Sequence, residues 1–305
     1  MARTLHQHRR PLPHLAGSAP PARPGGRQRK KPTAIITAAR RLNRASGIIA
    51  ISVLFDSAME HYRGNFHNKA MWTPIVTSLS SIAVSAHGLV DGRHRAHPVR
   101  DAVYVAAGFV GLVGTGFHIY NVTKKVGGFN WQNLFYSAPL GAPAAMSLSG
   151  LMGFLAERVR DNHPEGEPRV FGLPAGRVVA AATGLSLLGT TAEAGLLHFR
   201  GAFHNPAMLL PVTMPPVAAG LLAKAAIGRA AARRSPSKAW LAATAVMGVA
   251  GVALHTYGVS RGMGGWRNWR QNAFAGPPLP APPAFTGLAL AGLAALALLR
   301  EHTRE

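Results

Sequence analysis

The sequence predicts an all-α integral membrane protein with eight transmembrane helices, arranged as two tandem parallel four-helix bundles. Of its 305 residues, 48% are hydrophobic and 14% are charged, whereas about 25% of the residues of a soluble domain are charged. The apolar residues form eight long runs with the charges confined between them, and an internal duplication divides the runs into two sets of four. Runs of this kind are typical of membrane-spanning helices.

Most of the predicted helices approach the ~20 residues that cross ~30 Å of hydrocarbon at about 1.5 Å per residue. The first helix is short and contains Asp56 and Glu60, but its counterpart in the second set is longer and contains a single acid, which supports it. In chain order, the predicted spans are 45–61, 71–90, 101–121, 139–156, 178–199, 207–223, 239–258 and 280–299.

The segment before the first span is polar and strongly basic. Residues 1–46 contain eleven Lys and Arg and no acid, which is half of the formal net charge of +22. Arg, Pro and Gly dominate it, so we predict a disordered basic cytoplasmic arm over 1–44. No apolar stretch directly follows its basic residues, so it does not resemble a cleavable signal peptide. The arm either contacts anionic membrane lipid or only fixes the topology, and the second interpretation is preferred.

The basic residues between the spans predict the orientation. With eight spans, 25 of the 33 Lys and Arg fall on the side of the two termini, and without residues 1–46 the ratio is still fourteen to eight. Basic residues are enriched on the cytoplasmic side of membrane proteins. We therefore expect a multi-pass protein of the bacterial inner (plasma) membrane, with both termini and the linker 159–175 in the cytoplasm.

An internal duplication is the most informative feature of the sequence. The segment His61–Met71 recurs as His198–Met208 with eight of eleven positions identical, at an offset of 137 that becomes 139 after two inserted residues. It predicts two four-helix repeats, 45–158 and 176–300. Because four is an even number, both repeats enter the membrane in the same direction, and an axis along the membrane normal should relate them.

The residues that the two copies share are polar and fall at one end of the predicted helices, opposite the basic loops. Six histidines form three pairs, and Arg and Tyr form further pairs beside them. The shared residues are His61 and His198, His67 and His204, His118 and His255, Arg63 and Arg200, and Tyr120 and Tyr257. We therefore predict a duplicated His/Arg/carboxylate site on the periplasmic side.

Both copies also keep an acid inside the first helix, Asp56 in one and Glu193 in the other. A carboxylate within a membrane helix is costly and by default indicates a functional site or a paired charge. We predict that these two acids are catalytic proton partners. The alternatives are a structural ion pair with Arg63 or Arg200, or a protonated acid.

The first functional hypothesis is a haem- or metal-binding subunit of a membrane redox complex. His61, His118, His198 and His255 are the first-choice ligands of haem b or a transition metal, with His67 and His204 in reserve. Gly114 and Gly251 lie one helical turn before His118 and His255, so a flat macrocycle could approach a bare helix face there. Arg63 and Arg200, with Tyr120 and Tyr257, would bind the cofactor. The glycines could instead serve helix–helix contact.

Three other functions remain open. A quinone-reactive subunit would use the same His and acids as proton carriers. A transporter or channel for a small anion suits two parallel repeats and the outer loops, which contain eight Lys and Arg and no Asp or Glu. A purely structural membrane protein is the fourth. The expected partners are membrane lipid and other redox subunits, not nucleic acid, and the absence of Cys excludes thiolate chemistry.

Overall fold

The computed structural model describes residues 33–137, 139–164, 166–228 and 234–301, and this part of the chain is all-α except for one two-residue hairpin. Eight long helices and two short ones follow each other. They are α1 (Ala34–Arg63), α2 (Thr73–Val90), α3 (Pro98–Thr123), α4 (Trp131–Tyr136), α5 (Gly141–Arg160), α6 (Ala175–Arg200), α7 (Leu210–Ile227), α8 (Arg234–Ser260), α9 (Trp269–Ala275) and α10 (Pro283–Glu301). Strands β1 (Arg169–Val170) and β2 (Leu173–Pro174) pair antiparallel between α5 and α6.

Among the described residues, four helices are long and apolar enough to cross a membrane: α2 and α3, and their repeat counterparts α7 and α8. Their surfaces expose large apolar side chains, such as Phe109, Leu112 and Val246, each 67% exposed. Continuous apolar surface of this kind is rare on soluble proteins and common where lipid covers the protein. The chain is therefore a helical protein with at least these four candidate membrane helices.

The long helices form two sets that follow the sequence repeat. In the first helix set α1 packs on α2 and α5, and α3 packs on α2 and α5; in the second helix set α6, α7, α8 and α10 pack in the same order. Helices α1 and α10 make the main contact between the sets. A Cβ atom on Gly287 of α10 would lie 2.8 Å from Ile49 Cγ1 and 2.9 Å from the Ala45 carbonyl oxygen of α1. Only glycine allows these two helices to approach so closely.

The structure corrects two of the predicted boundaries. The predicted disordered arm, 1–44, is wrong over 34–44, because α1 already begins at Ala34. Thr33 caps this helix by accepting a hydrogen bond from the Ile36 amide, and the apolar residues that follow, such as Leu42, are buried. Residues 1–32 lie outside the described part of the chain. The predicted linker 159–175 is shorter than expected, since α5 ends at Arg160 and α6 begins at Ala175.

Candidate functional site

Four of the shared histidines lie at one end of the two helix sets, which we call the histidine end. His61 and His198 lie in the last turns of α1 and α6, and His118 and His255 lie about one turn earlier in α3 and α8. These helices run in the same direction, so the repeat delivers the same side chains to the same end of each set. All four rings are partly buried.

The ring Nδ1 atom of each of these histidines contacts a backbone carbonyl oxygen at the start of a neighbouring helix or in the loop before it. A carbonyl oxygen can only accept a hydrogen bond, so Nδ1 is the donor and the neutral ring keeps Nε2 free as an acceptor. This arrangement fixes the tautomer and is the one that metal-bound histidines adopt. The four contacts are His61 to Met71 (2.6 Å), His118 to Pro139 (2.5 Å), His198 to Met208 (2.9 Å) and His255 to Pro278 (2.7 Å).

The four imidazoles form two pairs, one in each helix set. The ring centroids of His198 and His255 are 6.5 Å apart and the ring planes are inclined by 70°. In the first set His61 acts electrostatically on His118. Two imidazoles that bind one metal ion at about 2 Å each have centroids about 5 Å apart at a tetrahedral angle and about 6 Å apart on opposite sides of the ion. The separation in the second set is therefore close to that of two ligands on opposite sides of a shared ion.

The two predicted proton partners lie together between the helix sets rather than separately inside them. Glu193 of α6 reaches the N-terminus of α5, where its side chain lies against Gly141 and the Gly141 amide acts on its carboxyl group. Asp56 of α1 is partly buried and interacts electrostatically with Glu193. At the position equivalent to Gly141, the second repeat has Pro280, which has no amide hydrogen to donate. The acids thus share one location but have different partners.

The contact between Gly141 and Glu193 allows a test of how the two sets are joined. A Cβ atom at Gly141 would lie 2.6 Å from Glu193 Cγ. We expect Gly141→Ala to destabilise the protein by about 1–3 kcal/mol, as overpacking usually does, and to lower the thermal unfolding midpoint in detergent. Gly189→Ala on α6 is the control, because a Cβ atom there would meet nothing within 4 Å. Equal midpoints for the two variants would contradict the contact.

The paired arginines lie at the rim of the site and not beside the imidazoles. Arg63 forms an ion pair with Glu60 (2.8 Å), and Arg200 donates to the Phe135 carbonyl oxygen (2.9 Å). Both side chains are exposed. A cleft of about 560 Å³ opens beside Arg63. Its lining residues are Tyr62, Arg63, Asn65, Phe66, Arg270 and Phe274.

The glycines beside the histidines contact protein, so the expected bare helix faces for a macrocycle are not present. A Cβ atom at Gly114 would lie 3.1 Å from Pro143 Cβ, and one at Gly251 would lie 2.7 Å from Pro282 Cβ. These two glycines instead allow close helix–helix contact, which is the alternative interpretation of the sequence. The sequence placed the glycines on the same helix face as the histidines, but it could not show that α5 and α10 cover this face.

The remaining candidate residues lie away from the paired imidazoles. His67 and His204 are exposed, and each ring Nδ1 donates to a carbonyl oxygen three residues earlier in its own turn, at 2.9 and 3.0 Å. Tyr120 and Tyr257 are 52% and 61% exposed. The structure therefore keeps these two pairs outside the enclosed part of the site.

A second polar cluster, which the sequence analysis did not anticipate, lies inside the first helix set at the opposite end, which we call the basic end. Arg100 of α3 is fully buried and donates to Glu157 of α5 (2.9 Å) and to Asp91 (2.8 Å). Arg160 is also fully buried and donates to the carbonyl oxygens of Asp91 and Gly88, at 2.9 Å each. We call Asp91, Arg100, Glu157 and Arg160 the ionic cluster.

The ionic cluster lowers the pKa of the Asp91 carboxyl group well below its usual range. Burial alone would raise this pKa, but hydrogen bonds and positive charge from Arg93 and Arg100 outweigh the effect of burial. Because the pKa is lowered on folding, the carboxylate contributes stability above its usual pKa of about 4, and the contribution is lost as the pH falls towards the lowered value. The Asp91 carboxyl group is therefore ionised across the physiological pH range.

Comparison with known proteins identifies no relative of this chain. No protein-family profile matches the chain, and no curated protein or solved structure is significantly similar to it. Among the described residues, no group of three or more His, Cys, Asp or Glu side chains is arranged to hold a metal ion.

Proposed function

We propose that this chain is an eight-span protein of the bacterial inner membrane, with both termini in the cytoplasm and its two helix sets forming parallel four-helix bundles. Reciprocal contacts between the sets support the parallel arrangement. Tyr62 stacks on Phe274 with centroids 5.3 Å apart, and Phe199 stacks on Phe135 at 5.7 Å. The repeat alignment pairs Tyr62 with Phe199 and Phe274 with Phe135, so the same contact is made twice, as an axis along the membrane normal requires.

Within this frame, we propose that each bundle binds a redox-active transition metal, as a bare ion or as haem iron, and that the protein serves electron transfer in a membrane complex. The observation that carries the proposal is the pair of imidazoles in each bundle, each with Nδ1 fixed by a carbonyl oxygen and Nε2 free. Bundle cores commonly bind metals through side chains of facing helices. The covered faces of Gly114 and Gly251 favour a bare ion over haem.

The surroundings of the imidazoles suggest how the rest of the site would contribute. In this proposal, Asp56 and Glu193 accept or release protons as the charge of the centre changes. The Phe66 ring lines the cleft and also contacts the His61 ring, with their centroids 6.0 Å apart. A quinone headgroup in this cleft would lie close enough to exchange electrons with the centre. Other subunits and membrane lipid are the expected partners.

The first test is a visible absorption spectrum of the detergent-purified full chain, oxidised and then reduced with dithionite, with elemental analysis of the same sample. We expect stoichiometric iron or copper, with one centre in each bundle. A Soret band with sharp bands after reduction would identify haem, and metal without these bands would identify a bare ion. A colourless sample without stoichiometric metal would contradict the proposal.

The cleft supports a second candidate function, the transport of a small anion. Arg63 and Arg270 line it, and Arg270 lies over the Tyr62 ring at 5.8 Å from its centroid. The outer loops contain no acid that would repel an anion. If this function is correct, liposomes that contain the purified protein should accumulate a radioactive anion when a voltage is imposed, and Arg270→Gln should slow the uptake.

A further inference from the structure

The core of the first helix set contains a continuous group of polar side chains next to the ionic cluster. The Tyr104 hydroxyl donates to Asn43 Oδ1 at 2.6 Å and lies 3.1 Å from the Ser85 hydroxyl. Ser85 donates to Ser46 at 3.4 Å, and Ser46 lies 3.2 Å from Ser149. All five residues are at most 2% exposed. Hydrogen bonds therefore link four helices, α1, α2, α3 and α5, inside one bundle.

Two further serines extend this group towards the histidine end. Ser81 and Ser78 lie about one and two turns from Ser85 on the buried face of α2, and both are fully buried. Neither hydroxyl has a hydrogen-bond partner among the described residues. A buried hydroxyl without a partner costs about 1–3 kcal/mol. Water is a usual partner of such groups, so the two hydroxyls offer binding positions for water inside the bundle.

The polar residues reach close to both ends of the bundle. At the basic end, Tyr104 interacts electrostatically with Glu157 and Arg100 of the ionic cluster. His87 and His97 lie beside the cluster with ring centroids 5.1 Å apart, and the Arg100 guanidinium approaches His87 Nδ1 at 3.5 Å. At the other end, Ser78 is five residues from Thr73, the first residue of α2. This places it about 8 Å from the histidine end of the helix.

The described part of the second helix set has buried hydroxyls of its own, such as Ser186 and Thr244, but not this linked group of polar side chains. At the repeat-equivalent positions, buried apolar residues replace the polar ones, although Thr183 keeps a hydroxyl where the first set has Ser46. The replacements are Ala180 for Asn43, Pro215 for Ser78, Ala218 for Ser81, Leu222 for Ser85, Leu241 for Tyr104 and Leu288 for Ser149. Since the same helix arrangement forms without the polar residues, packing alone does not explain them.

We infer that the first helix set contains a water-assisted proton pathway between the ionic cluster at the basic end and the histidine end, and that the second set does not. Each hydroxyl or water along it accepts a proton from one neighbour and passes its own to the next, so one proton enters for each that leaves. His87 is exposed at the basic end, where the path meets solvent. The ion pairs of Arg100 and Glu157 neutralise the charges beside the path. The inference rests on the proposed membrane arrangement but not on the metal.

The test uses the purified full chain in liposomes that contain a pH-sensitive dye, with a potassium diffusion potential to drive protons. We expect proton flux above that of empty liposomes, and a reduction of about tenfold in Ser81→Val, because a larger apolar side chain excludes the bridging water. Tyr104→Phe should also reduce the flux, since it removes the hydroxyl between Asn43 and Ser85. Ala218→Val adds similar bulk at the equivalent position of the second set and should leave the flux unchanged.

Two outcomes would overturn the inference: flux no greater than that of empty liposomes, or equal flux in Ser81→Val, Ala218→Val and the unchanged protein. If Ser81→Val does not fold, Ser81→Ala tests the same position. We expect Ser81→Ala to fold, because the second set already has Ala218 at the equivalent position. We expect it to lower the flux less than Val does, and no reduction would count against the pathway. The metal content of the same samples is also measured. A failure of the proton pathway can then be distinguished from a failure of the proposed metal site.

Discussion

Replacing both His118 and His255 by Ala should abolish the bound metal or haem in both helix sets. Each replacement removes one of the two imidazoles of a pair and leaves the other, His61 or His198, as the single protein ligand. Loss of a group that merely orients a ligand already weakens metal binding by about 10–100-fold, so loss of a ligand itself should weaken it by at least about 100-fold. Elemental analysis and the visible spectrum of the purified variant measure this directly.

The matched control for this experiment is the double replacement of His67 and His204 by Ala. These histidines are also shared by the two repeats, but they are exposed and bond only to their own turns. We expect this variant to retain the metal and the spectrum of the unchanged protein. If it loses the metal while the His118 and His255 variant retains it, the ligands are the loop histidines and the paired-imidazole site is wrong.

The single replacements should show whether the two centres are independent. His118→Ala affects the first helix set, and His255→Ala the second. If each set binds its own ion, each variant should retain half of the metal of the unchanged protein. Complete loss of the metal in either variant would mean that one centre depends on the other. Asp56 and Glu193, which lie between the two helix sets, would then connect the two centres.

The sequence predicted much of the histidine end because duplication separates shared residues from incidental ones. The offset of 137 identified His61 with His198 and His118 with His255, and helix length placed all four near helix ends. It could not show that each ring would bond a carbonyl oxygen, because these contacts join residues between 10 and 23 positions apart across turns and loops. They depend on how the next helix begins.

The features that the sequence did not predict depend on how helices pack against each other. Spacing along α3 put Gly114 on the same face as His118, but whether cofactor or Pro143 covers that face is decided by α5. Likewise, Asp56 and Glu193 were assigned to separate sites because each repeat was considered alone. Their proximity depends on how the two repeats contact each other. An alignment of one repeat with the other contains no information about that contact.

The comparison of repeats also concealed the ionic cluster. Asp91, Arg100, Glu157 and Arg160 have no charged counterparts in the second repeat, where Gly228, Ser237, Leu296 and Leu299 occupy the equivalent positions. Selecting shared residues therefore discarded them. Their presence inside the described part of one set, and not of the other, suggests that the two halves of the protein have different tasks despite their common architecture. A buried charge is costly, and the first set retains several.

Removing the negative charge of Glu157 should destabilise the protein more than any other conservative replacement that we consider. Glu157 is fully buried and accepts hydrogen bonds from Arg100 Nε and Nη2, at 2.9 Å each, and from the His97 amide at 2.8 Å. In Glu157→Gln the side chain keeps its shape, but the amide group faces a guanidinium that has lost one of its two acids. Breaking a buried ion pair in this way costs about 3–5 kcal/mol.

Asp101→Asn provides the matched control, because it makes the same chemical change in an ion pair that water reaches. Asp101 and Arg158 are 2.7 Å apart, and each side chain is 29% exposed. Such pairs contribute about 0–1 kcal/mol. We therefore expect the thermal unfolding midpoint in detergent to fall by on the order of 10 °C for Glu157→Gln and by at most a few degrees for Asp101→Asn. Equal shifts would mean that water reaches both pairs, and that the first helix set is open at its basic end.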